Sequence, residues 1–343
     1  MRPLFHTQLI NDPFGDPGLY VEFMFERRAL LFDLGDLHAL PPRKVLKVTH
    51  AFVSHTHMDH FVGFDQVVRI CLGRPVQLQL FGPPGIIDQV GHRLASYTWN
   101  LVHNYPENFG VCVTEVHPEG KAFVTEFTCR TGFTRRDIEP RTITDGLLVD
   151  EEEFRVRAVL LDHKVPCLAF SLEETAHVNV WKTKLHEMGF PTGPWLKELK
   201  RAVLRGEVDE TLFRVWWRTK ETIKEQMVPL GVLKERALQV VPGQKIAYVV
   251  DVVYHEENAR AIVDLARHAD TLFIEATFLH HDAERAADRA HLTARQAGLL
   301  ARDAGVKVLV PFHFSPRYAG QGDQLRSEAE QAFRSPSGSS LEV

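Results

Sequence analysis

Six consecutive residues, His55-Thr56-His57-Met58-Asp59-His60, carry three imidazoles and a carboxylate directly behind the apolar run Ala51-Phe52-Val53. On a loop leaving a strand, groups at this H-x-H-x-D-H spacing reach one small volume and fill the coordination spheres of two divalent metals. Imidazole suits zinc, and a carboxylate makes the second position harder and more acidic. Two cations need more ligands than this loop supplies, so the fold must return other histidines and carboxylates to the same point. That requirement favours an α/β chain, in which the carboxyl ends of strands and their loops converge on one edge.

Three distant residues stand at such positions. His163 follows a strand ending Leu160-Leu161, Asp251 ends Ala247-Tyr248-Val249-Val250, and His313 ends Val308-Leu309-Val310-Pro311-Phe312. Singly, Asp251 could equally cap a helix and His163 could be structural. Together with the first motif they make a better case for a shared site than any one of them.

The rest of the chain agrees with alternating strands and helices. Strands are expected over Leu19–Phe25, Ala29–Asp33 and Val76–Phe81, with helices over Phe64–Leu72 and Ile86–Asn100. Successive strands follow from Val111 to Val165. Later come a strand over Gln244–Val250, a helix over Ala259–Arg267, a strand over Thr271–Ile274, a helix over Thr293–Ala304 and a strand over Val306–Val310. Between about 177 and 239 the composition shifts to Trp181, Trp195, Trp216 and Trp217 among many Lys and Arg residues. This segment is expected to be a helical arm or cap inserted into a single domain spanning 1–334, and 335–343 to be a disordered tail. The plainer reading of the insert is an amphipathic subdomain whose charges are solvated.

At 343 residues the chain is long enough for a substantial core. A formal net charge of −5 argues against a polyanion-binding surface all round, so nucleic acid would need a local basic patch. The four cysteines are scattered, with none beside the histidine cluster, and the start of the chain lacks a signal-peptide core. A cytoplasmic enzyme with no membrane segment is expected.

The blocks Ser54-His55-Thr56-His57-Met58-Asp59-His60 with Gly63, Leu161-Asp162-His163, Glu275-Ala276-Thr277-Phe278, His291-Leu292-Thr293-Ala294 and His313-Phe314-Ser315-Pro316-Arg317-Tyr318 occur in an informative order. In this the chain resembles the metallo-β-lactamase superfamily, and within it ribonuclease Z, whose members mature the 3′ end of transfer RNA. The resemblance implies a four-layer αββα sandwich. It implies two zinc ions, with manganese or iron as alternatives: His55, His57 and His163 on one, Asp59, His60 and His313 on the other, and Asp251 bridging. It further implies metal-bound hydroxide attacking a phosphodiester, Asp59 orienting it, and His291, held by Glu275, protonating the leaving oxygen. Ser315, Arg317 and Tyr318 would bind phosphate.

Gly189-Phe190-Pro191-Thr192-Gly193-Pro194-Trp195-Leu196-Lys197-Glu198-Leu199-Lys200 resembles the region that opens the family's RNA-gripping arm. By that resemblance Lys197 and Lys200 contact RNA and the chain is a homodimer. Some loops depart from the family. Phe32-Asp33-Leu34-Gly35-Asp36-Leu37-His38 replaces Asp-x-Gly-Glu-Gly-Thr-Gln, Gly63-Phe64-Asp65-Gln66 replaces Gly-Leu-Pro-Gly, Ile274 stands where the family has histidine, and Val250-Asp251-Val252 replaces Gly-Asp-Thr. No metal ligand is removed, but what enters the cleft is affected. The expected activity is removal of the 3′ trailer from precursor transfer RNA. The alternatives are hydrolysis of a small phosphodiester or other ester, with the insert as lid or dimer contact, and an inactive metal- and RNA-binding module.

Overall fold

A computed structural model of the chain describes residues 4–24, 26–219 and 222–336. Parts of the expected strand over Leu19–Phe25 and most of the expected disordered tail, 337–343, lie outside the described residues.

The larger compact unit comprises Phe5–Leu148, Val156–Leu172 and the chain from Lys245 onward. Its eight-stranded sheet runs in sequence order from Phe5–Leu9 to Arg136–Thr142. The central strands Ala29–Phe32, Val48–Phe52, Gln77–Gly82 and Gly110–Val116 are parallel. A six-stranded sheet has the order Val308–Phe312, Thr271–Glu275, Lys245–Val249, Pro166–Glu174, Phe154–Asp162, Leu147–Asp150, and its first three strands are parallel.

Side-chain alternation along these strands builds the layers, because successive residues point to opposite faces. Phe32 and Phe52 stack at 5.0 Å and meet Phe170 of the other sheet at 5.7 and 5.6 Å, while Tyr248 lies 5.8 Å from Phe32. The residues between them in sequence, Leu31, Ala51, Leu80 and Val113, face outward onto the helices Phe64–Cys71 and Ile86–Ala95. On the second sheet Ala247, Val249, Leu272 and Ile274 cluster with residues of the helices Glu256–Ala266, Ala294–Asp303 and Gly322–Phe333. The result is the αββα layering. Each buried phenylalanine between the sheets contributes about 1.5–3 kcal/mol relative to exposure.

The last two helices approach closely at Gly298, where an added Cβ would lie 2.1 Å from the Ala329 carbonyl oxygen and 2.8 Å from the Ala332 Cβ. Gly298→Ala is therefore expected to lower stability by about 1–3 kcal/mol through overpacking, outweighing the roughly 1 kcal/mol gain in helix propensity. Urea unfolding measures this, and an unchanged midpoint would show that the helices separate freely.

The second compact unit contains Val149–Arg155 and Glu173–Gln244. It is less helical than its charge pattern suggests. Three helices, Lys182–Glu187, Trp195–Leu204 and Leu230–Ala237, accompany the strand pairs His177–Val180 with Leu238–Val241 and Leu212–Arg218 with Ile223–Pro229. Aromatic and β-branched residues over Phe213–Trp217 favour a pleated strand within this segment, which was expected to be a helical arm or cap. Trp195 is not a surface aromatic: it is buried with Leu199, Val215 and Leu233, and its Nε1 donates to the Pro191 carbonyl. Many of the unit's cations are matched internally. Arg201 pairs with Glu153 at 3.2 Å, Arg205 with Glu152 at 3.2 Å and Glu207 at 2.6 Å, and Lys234 with Asp209 at 2.8 Å. No helix among the described residues is long and apolar enough to cross a membrane.

Candidate metal centre

The strand ends deliver their residues to one place. Asp33 follows Phe32, Ser54 and His55 follow the strand Val48–Phe52, Asp251 follows Lys245–Val249, and His313 follows Val308–Phe312. His57 caps the short helix Met58–Phe61, which carries Asp59 and His60 in its first turn. Asp33, Asp251 and His313 turn sharply at φ values of 57°, 45° and 56°. Asp and His are among the few side chains that enter this left-handed region readily, and the turns aim their side chains at the common edge.

All seven expected ligands converge. Ligand atoms of His55, His57, His163 and Asp251 form one group, and those of Asp59, His60 and His313 another, each with its members within 4.8 Å of one another. Asp251 is central. Its Oδ2 lies 3.6 Å from His55 Nε2, 3.3 Å from His60 Nε2 and 3.5 Å from His163 Nε2, while its Oδ1 is 3.0 Å from His313 Nε2. Asp59 Oδ2 stands 3.6 Å from His60 Nε2 and 3.9 Å from His313 Nε2.

These residues fit divalent cations. His55 Nε2, His60 Nε2 and Asp251 Oδ1 are buried without a hydrogen bond of good geometry from the described residues. For Asp251 Oδ1 this holds despite the short approach of His313. Buried polar atoms left so cost about 1–3 kcal/mol each, a cost that metal ligation removes. Burial and the neighbouring His60 push the His55 ring down to about 2, and burial outweighs Asp251 in lowering His163, so both are in the neutral form that binds metal. Burial opposes charge on His60, yet Asp251 and Asp33 together hold it well above the usual histidine range. The Asp251 carboxyl, which burial alone would raise, is held well below the carboxylate range by His313 and His60.

The surrounding groups orient the rings. His163 Nδ1 donates to the Ala290 carbonyl at 2.8 Å, leaving Nε2 as its ligand atom. His60 Nδ1 lies 2.9 Å from Asp33 Oδ2. Asp33 is fully buried and accepts from Ser54 N at 2.7 Å, Ser54 Oγ at 2.9 Å and Tyr248 OH at 3.0 Å. Neither Asp33 nor Tyr248 is among the site residues expected from the sequence, although Asp33 ends a recognisable strand.

His291 Nδ1 lies 2.9 Å from Glu275 Oε2 and 3.8 Å from Asp251 Oδ1. Glu275 is itself held, accepting from Val252 N at 2.8 Å and Thr277 Oγ1 at 2.6 Å. Burial works against a charge on His291, but Glu275 and Asp251 together outweigh it and raise the ring to about 9.

A cleft of about 610 Å³ opens on the cluster, lined by His57, Asp59, His163, His291 and His313 together with Ser315, Arg285, Arg289 and Arg317. Tyr318 is not part of that lining: its ring is buried and its hydroxyl donates to Asp282. Lys197 and Lys200 belong to the other compact unit, on the helix Trp195–Leu204. Lys197 is exposed, whereas Lys200 is half-buried, and burial lowers its ammonium group against the pull of Glu174. A larger cavity of about 790 Å³, lined by Leu37, Val62, Leu72 and Trp99, contains none of the candidate ligands.

The chain is 31% identical over 292 residues to ribonuclease Z of Deinococcus radiodurans, covering 84% of this chain and 83% of that protein. The chain belongs to the ribonuclease Z family. Ribonuclease Z of Brevibacillus brevis is 29% identical over 329 residues, covering 92% of this chain and 86% of that protein. No protein-family model matches the chain. Among solved structures, the metallo-β-lactamase fold protein YhfI of Bacillus subtilis superposes with a TM-score of 0.53 at 15% identity, covering 96% of this chain and 92% of that one. Human short-form tRNase Z superposes at 0.50 and 19% identity, covering 91% of this chain and 92% of that one. The fold is thus that of the metallo-β-lactamases. Family and cluster together make the chain a ribonuclease Z-like metallohydrolase with an H-x-H-x-D-H-type metal site.

Proposed function

We propose that the chain is an endoribonuclease that removes the 3′ trailer from precursor transfer RNA. The observation that carries this reading is one cleft lined by His57, Asp59, His163 and His313 of the seven-residue cluster, by His291, which pairs with the buried Glu275, and by arginines. The two curated relatives named above are ribonucleases Z, which supports RNA as the substrate.

In this reading His55, His57 and His163 would hold one cation, Asp59, His60 and His313 the other, and Asp251 would serve both. Two divalent cations, taken as zinc, would when bound supply a nucleophilic water at neutral pH and offset charge on the phosphate oxygens. Asp59, only half-buried at the cleft, orients the attacking water. His291 gives its proton to the departing 3′ oxygen as the P–O bond breaks, while Glu275 fixes the ring through Nδ1 and stabilises its charged form. Ser315 and Arg317, which line the cleft, contact phosphate groups of the substrate backbone. Lys197 and the insert are assigned to the body of the RNA, and the functional form to a homodimer.

Purified protein with zinc or manganese is to be tested on a precursor transfer RNA carrying a 3′ trailer and on bis-(p-nitrophenyl) phosphate. Cleavage at the trailer junction is expected. Hydrolysis of the small ester alone would replace the reading with a small-phosphodiester hydrolase, and inactivity on both with full metal content would point to a binding module.

His291→Ala separates the proton-transfer step. A nitrophenolate leaves without protonation, whereas a ribose 3′ oxygen does not. The variant is expected to lose about a hundredfold in kcat on RNA and much less on the nitrophenyl ester. Equal losses on both would assign His291 to holding the cluster instead.

A further inference from the structure

Arg285 and Arg289 lie one turn apart on the helix Ala283–Arg289 and so share a face. Both line the cleft, as does Arg317 from the loop after His313. All three are exposed, and none of their guanidinium groups makes a hydrogen bond or ion pair with the described residues. Other surface arginines of the same unit are paired on their own helices: Arg260 with Glu256 at 2.7 Å, Arg267 with Asp264 at 2.5 Å and Arg326 with Asp323 at 3.0 Å.

Glu284 and Asp288 share the helix with Arg285 and Arg289, but neither lines the cleft, where three arginines face two carboxylates. Asp282 is engaged by the Tyr318 hydroxyl, which is the main cause of its lowered carboxyl, and Arg317 and Arg285 add electrostatic attraction without contact. Of the two carboxylates lining the cleft, Asp16 and Asp59, the second is a candidate metal ligand. Three unpaired guanidinium groups beside a metal cluster await an anion with several oxygens, since their planar forks match phosphate in a bidentate way.

A single phosphate is satisfied by the metal ligand cluster itself. A polynucleotide brings further phosphates on either side of the bond that breaks. We propose that Arg285 and Arg289, together with Arg317, form a subsite that grips a backbone phosphate adjacent to the scissile one, so that the cleft favours polynucleotides over single-phosphate esters. The proposal rests on the RNA reading above and deepens it. It also identifies a local basic patch on a chain of net negative charge.

The test compares the metal-loaded native chain with Arg285→Ala/Arg289→Ala and Arg285→Lys/Arg289→Lys. Affinity for a short single-stranded oligoribonucleotide is followed by fluorescence anisotropy across salt concentrations. The alanine pair is expected to bind roughly tenfold or more weakly, with the salt slope reduced by about 0.7 for each phosphate no longer neutralised. Metal content should match the native chain, and the loss in kcat/KM should be about tenfold greater on RNA than on bis-(p-nitrophenyl) phosphate. The lysine pair should restore the salt slope but only part of the affinity, because the bidentate fork is gone. Unchanged affinity and slope in the alanine pair, or equal losses on both substrates, would overturn the subsite. Native protein that binds the oligonucleotide through these arginines yet fails to cut the trailer would keep the subsite and reject the transfer RNA reading. A native chain that binds no RNA rejects both.

Discussion

An Asp251→Asn protein is expected to lose on the order of a thousandfold or more in hydrolysis of bis-(p-nitrophenyl) phosphate and to retain at most about one cation per chain. Asparagine keeps the size of the side chain and tolerates the left-handed backbone at φ 45°. The fold is therefore expected to survive. What disappears is the negative charge in the middle of His55, His60, His163 and His313, whose Nε2 atoms lie between 3.0 and 3.6 Å from its oxygens. An amide also offers one acceptor oxygen where two cations would share a carboxylate. Metal content by mass spectrometry and ester hydrolysis on the same preparation give the two readouts. Full metal occupancy with activity within tenfold of native would reject the bridging role proposed for Asp251.

Asp33 is the second residue whose loss should be severe, though it is not among the expected ligands. Its carboxylate, wholly buried, gathers the Ser54 backbone and hydroxyl, the Tyr248 hydroxyl and the His60 Nδ1 within 3.0 Å. Asp33→Ala leaves these groups unpaired in the interior and is expected to cost about 3–5 kcal/mol of stability. It also places alanine at φ 57°, a strain asparagine largely avoids. Asp33→Asn thus isolates the charge, and should lower metal affinity about 10–100-fold by loosening the His60 ring. Urea unfolding of the alanine variant and competition with a chelator for the asparagine variant measure these separately. If the asparagine variant held its metal as tightly as the native chain, His60 would be oriented by packing alone.

Much of the candidate site was legible in the chain because its signals are local. H-x-H-x-D-H spacing needs one loop, and His163, Asp251 and His313 each follow an apolar alternating run whose end can be read without knowing its neighbours. The same alternation exposed most central strands. The insert was harder, since its mixed charges and aromatics suit either a helix face or a twisted strand, and packing against Val215 and Leu233 decided that Trp195 is buried. The direction of the Tyr318 side chain was hard to read for a related reason. Adjacency to Arg317 in sequence says nothing of direction, and Asp282, 36 positions away, takes its hydroxyl.

Sequence alone determined the candidate ligand types, the strand ends that carry them and the family resemblance, because ligand chemistry and side-chain period are properties of short segments. Tertiary structure decided which nitrogen of each histidine faces Asp251, which carboxylate braces His60, and which arginines share the cleft. Those outcomes depend on contacts such as Asp33 with Tyr248, 215 positions apart, and on the left-handed turns that aim Asp33, Asp251 and His313 at one edge. Such convergence comes from packing two sheets face to face, which no local pattern records.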